Sequence, residues 1–393
     1  MLTATWQITL AKDKGPGIDG IRCRDIIDAP GGAAAFLDQL HRSLVSKTYR
    51  PDPVNRVYIA KPDGRKRPLG IPTIRDRVVQ TAVLLILEVI FEADFYDTSY
   101  GFRPERSAAG ALDSIRGHLK SGYTSVYDAD LKGYFDTIPH AQLLLAVRHR
   151  VTDGSVLHLI QLWLSCEVVE EDATGRRQSS RPQAGTPQGG VISPLLSNIY
   201  LHWFEHLFLR SDGPANWANA KITRYADDFV IQARYVGTRL RGWIETVLEK
   251  RFHLQINREK TKIVHVVPAG QSLGFPGYTF RFDRDLQGCR HHCLNLIPSR
   301  KALKKAREKI ASLTGPERCF LTITALIAEI NAWSRGWSAY FGCGYPRHAQ
   351  RELFRYIVER LTRHLQRRSQ RAYRPPAGTS FYAHLQALGL QRL

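Results

Sequence analysis

The 393-residue chain carries 56 Lys and Arg against 36 Asp and Glu, which gives a net charge of +20. Such an excess indicates a polyanionic partner, nucleic acid or a membrane surface, and excludes neither. A membrane-spanning protein is excluded, because the longest apolar run, residues 81–91, is short and contains Glu88. The amino terminus lacks a basic flank followed by an apolar core, so we expect a cytoplasmic protein of two or three domains, with its six scattered cysteines reduced.

The first predicted elements are a helix over residues 33–44 and a strand over residues 57–60. A turn follows at residues 62–64, and Lys61 and Arg67 are among the cations beside it. Arginine binds phosphate by bidentate hydrogen bonds and lysine as a point charge. The cations beside the turn therefore predict a binding site for a nucleoside triphosphate, and a basic surface loop without function is the alternative.

Periodicity next predicts helices over residues 78–91 and 107–119, and then a strand over residues 126–131. Asp128 and Asp130 point to one face of that strand, because side chains alternate along it. Asp136 lies just before Pro139 and is expected to cap the next helix.

Residues 185–190 are rich in glycine and contain a proline, and they precede a helix with Ser193 as its expected N-cap and Pro194 as its first residue. Glycine lets the backbone approach a nucleotide closely, and the Gln188 amide can hydrogen-bond a nascent base pair or the template. The loop is weak evidence of a site by itself and gains weight from the acids elsewhere in the chain.

Asp227 and Asp228 stand between two short β-rich runs, residues 222–225 and 229–231, which predicts a hairpin with both acids at its turn. A solvated turn is the plain interpretation of such a pair. If Asp130 meets them, the three carboxylates need a hard divalent cation to offset their repulsion. Two such ions about 3.5 to 4 Å apart can clamp the attacking and leaving oxygens of a phosphoryl transfer.

Beyond the hairpin, the composition shifts towards cationic helices. Residues 299–310 read SRKALKKAREKI, and residues 351–370 place apolar side chains on one helical face with arginines around it. Such helices suit a nucleic-acid backbone, and a solvated charged face is the alternative.

These segments resemble a known family. YADD at residues 225–228, DLKGYFD from Asp130, and GTPQGGVISPLLSNIYL at residues 185–201 resemble the reverse transcriptases of group II introns and their bacterial relatives. LIAEINAWSRGWSAYFG resembles the maturase region, or domain X. The resemblance implies an α+β right-hand polymerase, with a small antiparallel palm sheet flanked by helices and a helical thumb. It divides the chain into an N-terminal extension (residues 1–50), fingers and palm (51–285), and thumb (286–393).

The resemblance also implies roles for particular residues. Asp130, Asp227 and Asp228, with a backbone oxygen of Leu131 or Ala129, would hold two Mg²⁺ ions, Mn²⁺ being the alternative. Tyr134 would exclude a ribose 2′-hydroxyl, and a lysine of the last palm segments would lie near the nucleotide. The full set of nucleotide-binding residues is Lys61, Arg67, Tyr134, Gln188 and Lys260.

The expected partners are an RNA template, a DNA or RNA primer, deoxynucleoside triphosphates and, in an intron setting, a structured intron RNA. Two alternatives stay open: an RNA-binding splicing factor (maturase), and a domesticated relative that serves DNA repair, phage defence or CRISPR adaptation. We also expect the chain to lack the DNA-binding and endonuclease domains that many relatives carry after the thumb.

Overall fold

A computed structural model describes residues 1–60, 66–171, 175–284, 292–368, 371 and 373–393. Helices predominate and short strands form three small sheets, so the predicted α+β class is confirmed. The first helices are α1 (Leu2–Lys12), α2 (Cys23–Asp28), α3 (Gly32–Val45), α4 (Ile74–Glu92), α5 (Ala108–Lys120), α6 (Tyr134–Thr137), α7 (His140–Arg148), α8 (Gly154–Leu164), α9 (Ser193–Leu209), α10 (Pro214–Trp217) and α11 (Thr238–Thr246). A π-helical turn (Val247–Arg251) continues α11, and the later helices are α12 (Arg300–Leu313), α13 (Ile323–Tyr340), α14 (Arg347–Arg367) and α15 (Phe381–Ala387).

The strands within the described part of the chain are short, none longer than seven residues. They are β1 (Val54–Ala60), β2 (Lys66–Ile71), β3 (Ser125–Ala129), β4 (Val168–Glu171), β5 (Arg177–Ser180), β6 (Lys221–Tyr225), β7 (Asp228–Ala233), β8 (Lys262–His265), β9 (Leu273–Phe275), β10 (Tyr278–Arg284) and β11 (His292–Pro298). The strand orders are β2-β1-β4-β5, β6-β7-β3-β8 and β11-β10-β9.

The chain divides into two compact units. The first comprises Met1–Ile115 and Tyr127–Ile263, and the second comprises Arg116–Val126 and Val264–Leu393. The predicted boundary between residues 285 and 286 lies between strands β10 and β11 of the second unit, which pair with each other through seven residue pairs. The predicted domain limits, residues 1–50, 51–285 and 286–393, stay a prediction.

In the first unit, β1 pairs with β2 antiparallel and with β4 parallel. Sequence periodicity predicts only the hairpin here. The added strands β4 and β5 come from more than a hundred residues further along the chain. No local pattern specifies such a pairing, since a parallel partner is chosen by packing between distant segments.

Helix α9 lies at the centre of the first unit's core. Almost every side chain of its first three turns is buried, and Phe204 packs against Phe229 and Trp243 with ring centroids 5.5 and 6.0 Å apart. The helix begins one residue earlier than predicted, because Ser193 is its first helical residue rather than its N-cap. The Ser193 hydroxyl donates instead to the carbonyl of Pro187, 2.8 Å away, and so ties the glycine loop to the helix.

The second unit packs its β-hairpin against its own helices. Tyr278 donates from its hydroxyl to the carbonyl of Tyr340 at 2.5 Å, and its ring contacts Phe341. Helix α14 buries Leu353, Ile357, Leu361 and Leu365, as its predicted apolar face requires. Among the described residues, every helix is too short or too polar to cross a bilayer.

Candidate active site

The turn of the β6–β7 hairpin carries both predicted aspartates. Tyr225 pairs with Asp228 across the strands, so Ala226 and Asp227 form a two-residue loop. Ala226 has a φ of 58°, in the left-handed region that alanine seldom adopts. A strained turn of this kind needs support from its surroundings.

Gly101 supplies part of that support. A Cβ atom at this position would lie 2.2 Å from the backbone nitrogen of Ala226, so only glycine lets the two segments touch. The Gly101 carbonyl accepts a hydrogen bond of 2.8 Å from Asn198 Nδ2 of α9. Gly101 and Asn198 together therefore support the turn from below.

A buried ion pair lies beneath the same turn. Arg224 donates through Nε and Nη2 to Glu205 Oε2 at 2.9 and 2.7 Å, and both side chains are 0% exposed. Its Nη1 donates to Asn198 Oδ1 at 2.7 Å and to the carbonyl of Ala226 at 3.1 Å. The guanidinium therefore holds the loop backbone directly, with its charge compensated by Glu205.

Sequence reasoning missed this ion pair. Arg224 precedes YADD on a strand whose neighbours Thr223 and Phe229 are also buried, so the only local signal was a cation inside an apolar run. Its partner lies on α9, nineteen residues earlier in the chain, and only the tertiary structure identifies it.

Asp130 lies just after β3 and is held by the segment that follows the π-helical turn. Asn257 Nδ2 donates to Asp130 Oδ2 at 2.8 Å, and Lys260 Nζ lies 3.4 Å from both carboxylate oxygens. The backbone is fixed as well, since the Asn257 N–H donates to the Asp130 carbonyl at 2.8 Å. Lys260, expected near the nucleotide, is in this structure the counter-ion of an aspartate.

The neighbouring Leu131 is buried and forms an isolated antiparallel bridge with Ile256. A metal-ligand role for its carbonyl stays a prediction.

The pKa values show that these acids influence one another. The Asp228 side chain is exposed at the rim of the site, yet protein atoms surround most of its carboxylate. The resulting desolvation raises the pKa of Asp228 to about 7, and the charges of its three neighbours, Asp227, Asp130 and Asp128, add to the shift. Burial also raises the pKa of Asp227, and Asp130 adds to that shift while Arg67 opposes it. The charges at the turn and at the end of β3 therefore influence one another, whereas a metal site shared by the three aspartates stays a prediction.

Asp128 extends the group of acids. Desolvation raises the pKa of Asp128 to about 6. The charge of Lys262, whose Nζ lies 3.9 Å from the carboxylate, opposes this shift, whereas the charge of Asp130 adds to it. Carboxylates that repel one another in this way favour a cation between them.

Mg²⁺ fits the chemistry of these donors, because carboxylate and carbonyl oxygens are the hard ligands that it prefers. Within the described ranges, no three His, Cys, Asp or Glu side chains stand close enough together to bind one ion. Lys260 supplies the positive charge nearest to Asp130 in this arrangement.

The predicted nucleotide-binding residues Arg67 and Gln188 lie together. Arg67 Nε donates to Gln188 Oε1 at 2.9 Å, and Gln188 Nε2 donates to Asp136 Oδ2 at 3.1 Å. The glycine loop reaches β2 because a Cβ on Gly189 would meet the Gly70 carbonyl at 2.5 Å. Asp136, expected only as a helix cap, thereby joins the site, whereas Lys61 lies outside the described residues.

Tyr134 lies away from this surface. Its ring is 2% exposed, and its hydroxyl donates to the Ser197 carbonyl at 2.6 Å. Burial raises the pKa of this phenol well above its usual value. In this structure the ring packs between α6 and α9 rather than lining an open pocket, so its role in sugar discrimination stays a prediction.

Removal of the buried carboxylate should destabilise the protein strongly. Glu205→Ala leaves the Arg224 guanidinium without its counter-charge, and we expect a loss of about 3 to 5 kcal/mol in the free energy of unfolding. Urea denaturation measures this free energy. The control is Glu249→Ala, which removes an ion pair of 2.9 Å with the half-exposed Arg258. This pair should contribute at most about 1 kcal/mol. Equal losses in both variants would contradict the proposed importance of the pair.

The raised pKa of Asp228, about 7, predicts a pH dependence without divalent ions. An unfolded aspartate titrates near pH ~4. The folded protein therefore favours the protonated carboxyl, and this stabilising contribution is lost as the pH rises from about 4 to about 7. In EDTA, the wild-type melting temperature should fall over this range more than that of Asp228→Asn, with Asp212→Asn as the surface control. Added Mg²⁺ at about pH 8 should raise the melting temperature of the wild type more than that of Asp228→Asn. Parallel profiles for wild type and Asp228→Asn would count against the assignment.

Comparison with known proteins agrees with this geometry. Residues 59–280 match the family described as reverse transcriptase (RNA-dependent DNA polymerase), and residues 303–379 match the group II intron, maturase-specific domain. Protein YkfC of Escherichia coli is 37% identical over 334 residues, which cover 76% of this chain and 83% of that protein.

The group II intron-encoded protein LtrA of Lactococcus lactis is 40% identical over 194 residues, or 49% of this chain and 31% of LtrA. A solved structure of telomerase from Candida albicans, in complex with a TWJ fragment of telomeric RNA, has a TM-score of 0.49 and 12% identity, covering 85% of this chain and 64% of that one. By the two family matches and the likeness to YkfC, the chain belongs to the reverse transcriptases of the group II intron type.

Proposed function

We propose that this protein is an RNA-directed DNA polymerase that extends a primer 3′-hydroxyl with deoxynucleoside triphosphates. The observation that carries the proposal is the electrostatic meeting of Asp130 with Asp227 and Asp228. Carboxylates from distant segments that raise one another's pKa in this way reduce stability, so their placement favours a functional role over a plain surface turn. The buried support under the turn adds weight, because catalytic carboxylates must be held in place.

In this proposal, Asp130, Asp227 and Asp228, with the Leu131 carbonyl, would hold two Mg²⁺ ions, or Mn²⁺ in their place. When bound, the ions supply Lewis-acid activation of the primer hydroxyl and neutralise the leaving pyrophosphate. The chain's own residues position these ligands. Asn257 orients the Asp130 carboxylate, and Arg224 fixes the backbone of the Asp227 turn.

Cations of the chain would bind the triphosphate. Arg67 uses Nε for Gln188 and makes no other side-chain hydrogen bond with the described residues, so its Nη groups can donate to phosphate oxygens. Lys61 would add a point charge beside it. Lys260, which pairs with Asp130 in this structure, would bind the nucleotide phosphate instead if Asp130 were neutralised by a divalent ion.

Gln188 would contact the nascent base pair. Its amide is already oriented by Arg67 on one side and Asp136 on the other, which fixes the positions of its donor and acceptor atoms. An oriented amide loses less conformational entropy on binding than a free one does.

The proposed partners are an RNA template, a DNA or RNA primer, and the nucleotide substrates. Helices α12 and α14 would lie along the nucleic-acid backbone as the thumb, in a domain layout of residues 1–50, 51–285 and 286–393. A net charge of +20 favours a phosphate backbone as the ligand.

Asp227→Ala should abolish DNA synthesis on an RNA template without unfolding the protein, because Asp227 is a half-buried residue of a two-residue turn and not part of the hydrophobic core. Primer extension with an annealed RNA template and DNA primer measures the activity, and circular dichroism with urea denaturation measures folding. Asp212→Ala removes a surface carboxylate paired with Arg210 and is the matched control. Undiminished extension by the Asp227 variant would refute the metal assignment.

Sugar discrimination is proposed for Tyr134, whose ring would have to reach the incoming ribose. Tyr134→Ala should then increase incorporation of ribonucleotides relative to deoxyribonucleotides, because the space for a 2′-hydroxyl opens. Competition between the two substrates on one template measures the ratio. Phe135→Ala is the control at the adjacent ring, 5.5 Å away by centroid. A larger change in the Phe135 variant would move the role to that residue.

The match of residues 303–379 to the maturase-specific domain favours a second candidate function, assistance in intron splicing. Both functions can reside in one chain, because the two family matches cover different residues, 59–280 and 303–379. Incubation of the purified protein with flanking intron RNA at low Mg²⁺ tests it, and an unchanged splicing rate would speak against it. Service in DNA repair, phage defence or CRISPR adaptation is the remaining alternative for a domesticated relative.

A further inference from the structure

A second groove occupies the first unit, apart from every residue assigned above to catalysis or nucleotide binding. Helices α7 and α9 form its sides, and the end of the π-helical turn closes it. Its volume is about 370 Å³, enough for a nucleoside. The side chains used in the argument below are Gln142, His149, Trp203, Arg251 and Leu145.

One wall of this α7–α9 groove is aromatic. Helix α9 turns Phe204 and Phe208 into the core, which leaves Trp203 on the opposite face, half-buried. The ring of His149 lies 4.4 Å from that of Trp203 and is tilted by 41°, and the ring of His206 lies 5.4 Å away in an edge-to-face arrangement at 70°. Trp203 therefore presents a fixed, partly open indole, held by two imidazoles.

Three polar side chains around this wall lack partners among the described residues. Gln142, His149 and Arg251 make no side-chain hydrogen bond or ion pair with any described residue, and His149 and Arg251 are exposed. Arg210, which also lines the groove, pairs with Asp212 through a 3.0 Å contact. The part of the lining that the structure describes contains no Asp or Glu.

Acids nearby are already neutralised. Glu249, two residues before Arg251, accepts hydrogen bonds from Arg258, and Asp94 pairs with Arg150. The mouth of the groove is therefore electropositive beside an aromatic surface, which is the combination that binds an unpaired base and its phosphate.

We propose that the α7–α9 groove binds one unpaired nucleotide of a single-stranded nucleic acid, with its base against Trp203 and its phosphate on Arg251. Gln142 would hydrogen-bond the base edge or the sugar. Exposed Leu145 at the rim would also suit a protein partner, but the unpaired Arg251 and the absence of acids from the described lining favour an anionic ligand. This second contact goes beyond the proposed polymerase reaction and shares no residue with its site.

The probe is a 20-nucleotide single-stranded RNA of mixed sequence with scattered 4-thiouridine, and a DNA of the same sequence with 4-thiothymidine. The polymerase site is first filled with a chain-terminated RNA–DNA primer–template and the next deoxynucleotide. Fluorescence anisotropy at about 0.1 M salt measures affinity, and mass spectrometry locates the photo-crosslinks. Whichever strand binds tighter identifies the natural source of the nucleotide.

We expect crosslinks at Trp203 or His149, and a roughly tenfold loss of affinity in Arg251→Glu. Trp203→Ala should weaken binding by about fivefold or more, since one base–aromatic stack is lost. The matched control is Lys250→Glu, which makes the same charge change one residue away at an exposed position outside the groove lining. Its affinity should stay within about twofold of wild type.

Equal losses in Arg251→Glu and Lys250→Glu would overturn the proposal, because only the overall charge would then matter. Crosslinks confined to other segments would overturn it too and leave the groove as a protein surface. Arg251→Glu should extend primers at the wild-type rate on a short annealed template. If the wild-type protein does not extend primers, the proposed polymerase function is wrong. The crosslinks would still show whether the α7–α9 groove binds a nucleotide.

Discussion

The position of the two hairpin aspartates depends on one guanidinium that has no contact with water. Arg224 bonds the Ala226 carbonyl, and the strained backbone of that turn is packed between it and Gly101. A buried cation is tolerable only with a matched anion, which Glu205 supplies, and with further acceptors such as Asn198 Oδ1. The acids at the surface are thus fixed by polar contacts made in the core.

The same architecture creates an electrostatic imbalance at the surface. Asp130 follows β3 and Asp228 begins β7, two strands of one sheet, and desolvation together with the charges of Asp227 and Asp130 raises the pKa of Asp228. Lys260 offsets one charge. Carboxylates that repel one another in this way favour a cation between them, and in the proposed function Lys260 would then be free to pair with another anion.

Much of the local structure of both units could be predicted from short stretches of sequence. The YADD turn, the strand before Asp130, the glycine loop and the apolar face of α14 each follow from a short pattern of residue types. Arg67 and Gln188 were also named from local chemistry, although nothing in the sequence indicates that they bond each other across more than a hundred residues. The parallel pairing of β1 with β4, and the place of Asp136 beside Gln188, were likewise hidden, because both contacts join segments distant along the chain.

By itself, the sequence determined which residues have the chemistry for a polymerase: carboxylates at a turn and at a strand end, cations on a hairpin, and a glycine-rich loop before a helix. The tertiary structure decided how they are used. It turned Tyr134 inward to bond Ser197, paired Lys260 with Asp130, and buried Arg224 against Glu205. Residue type and spacing fix local conformation, whereas burial and partner choice arise only when distant segments pack together and exclude water.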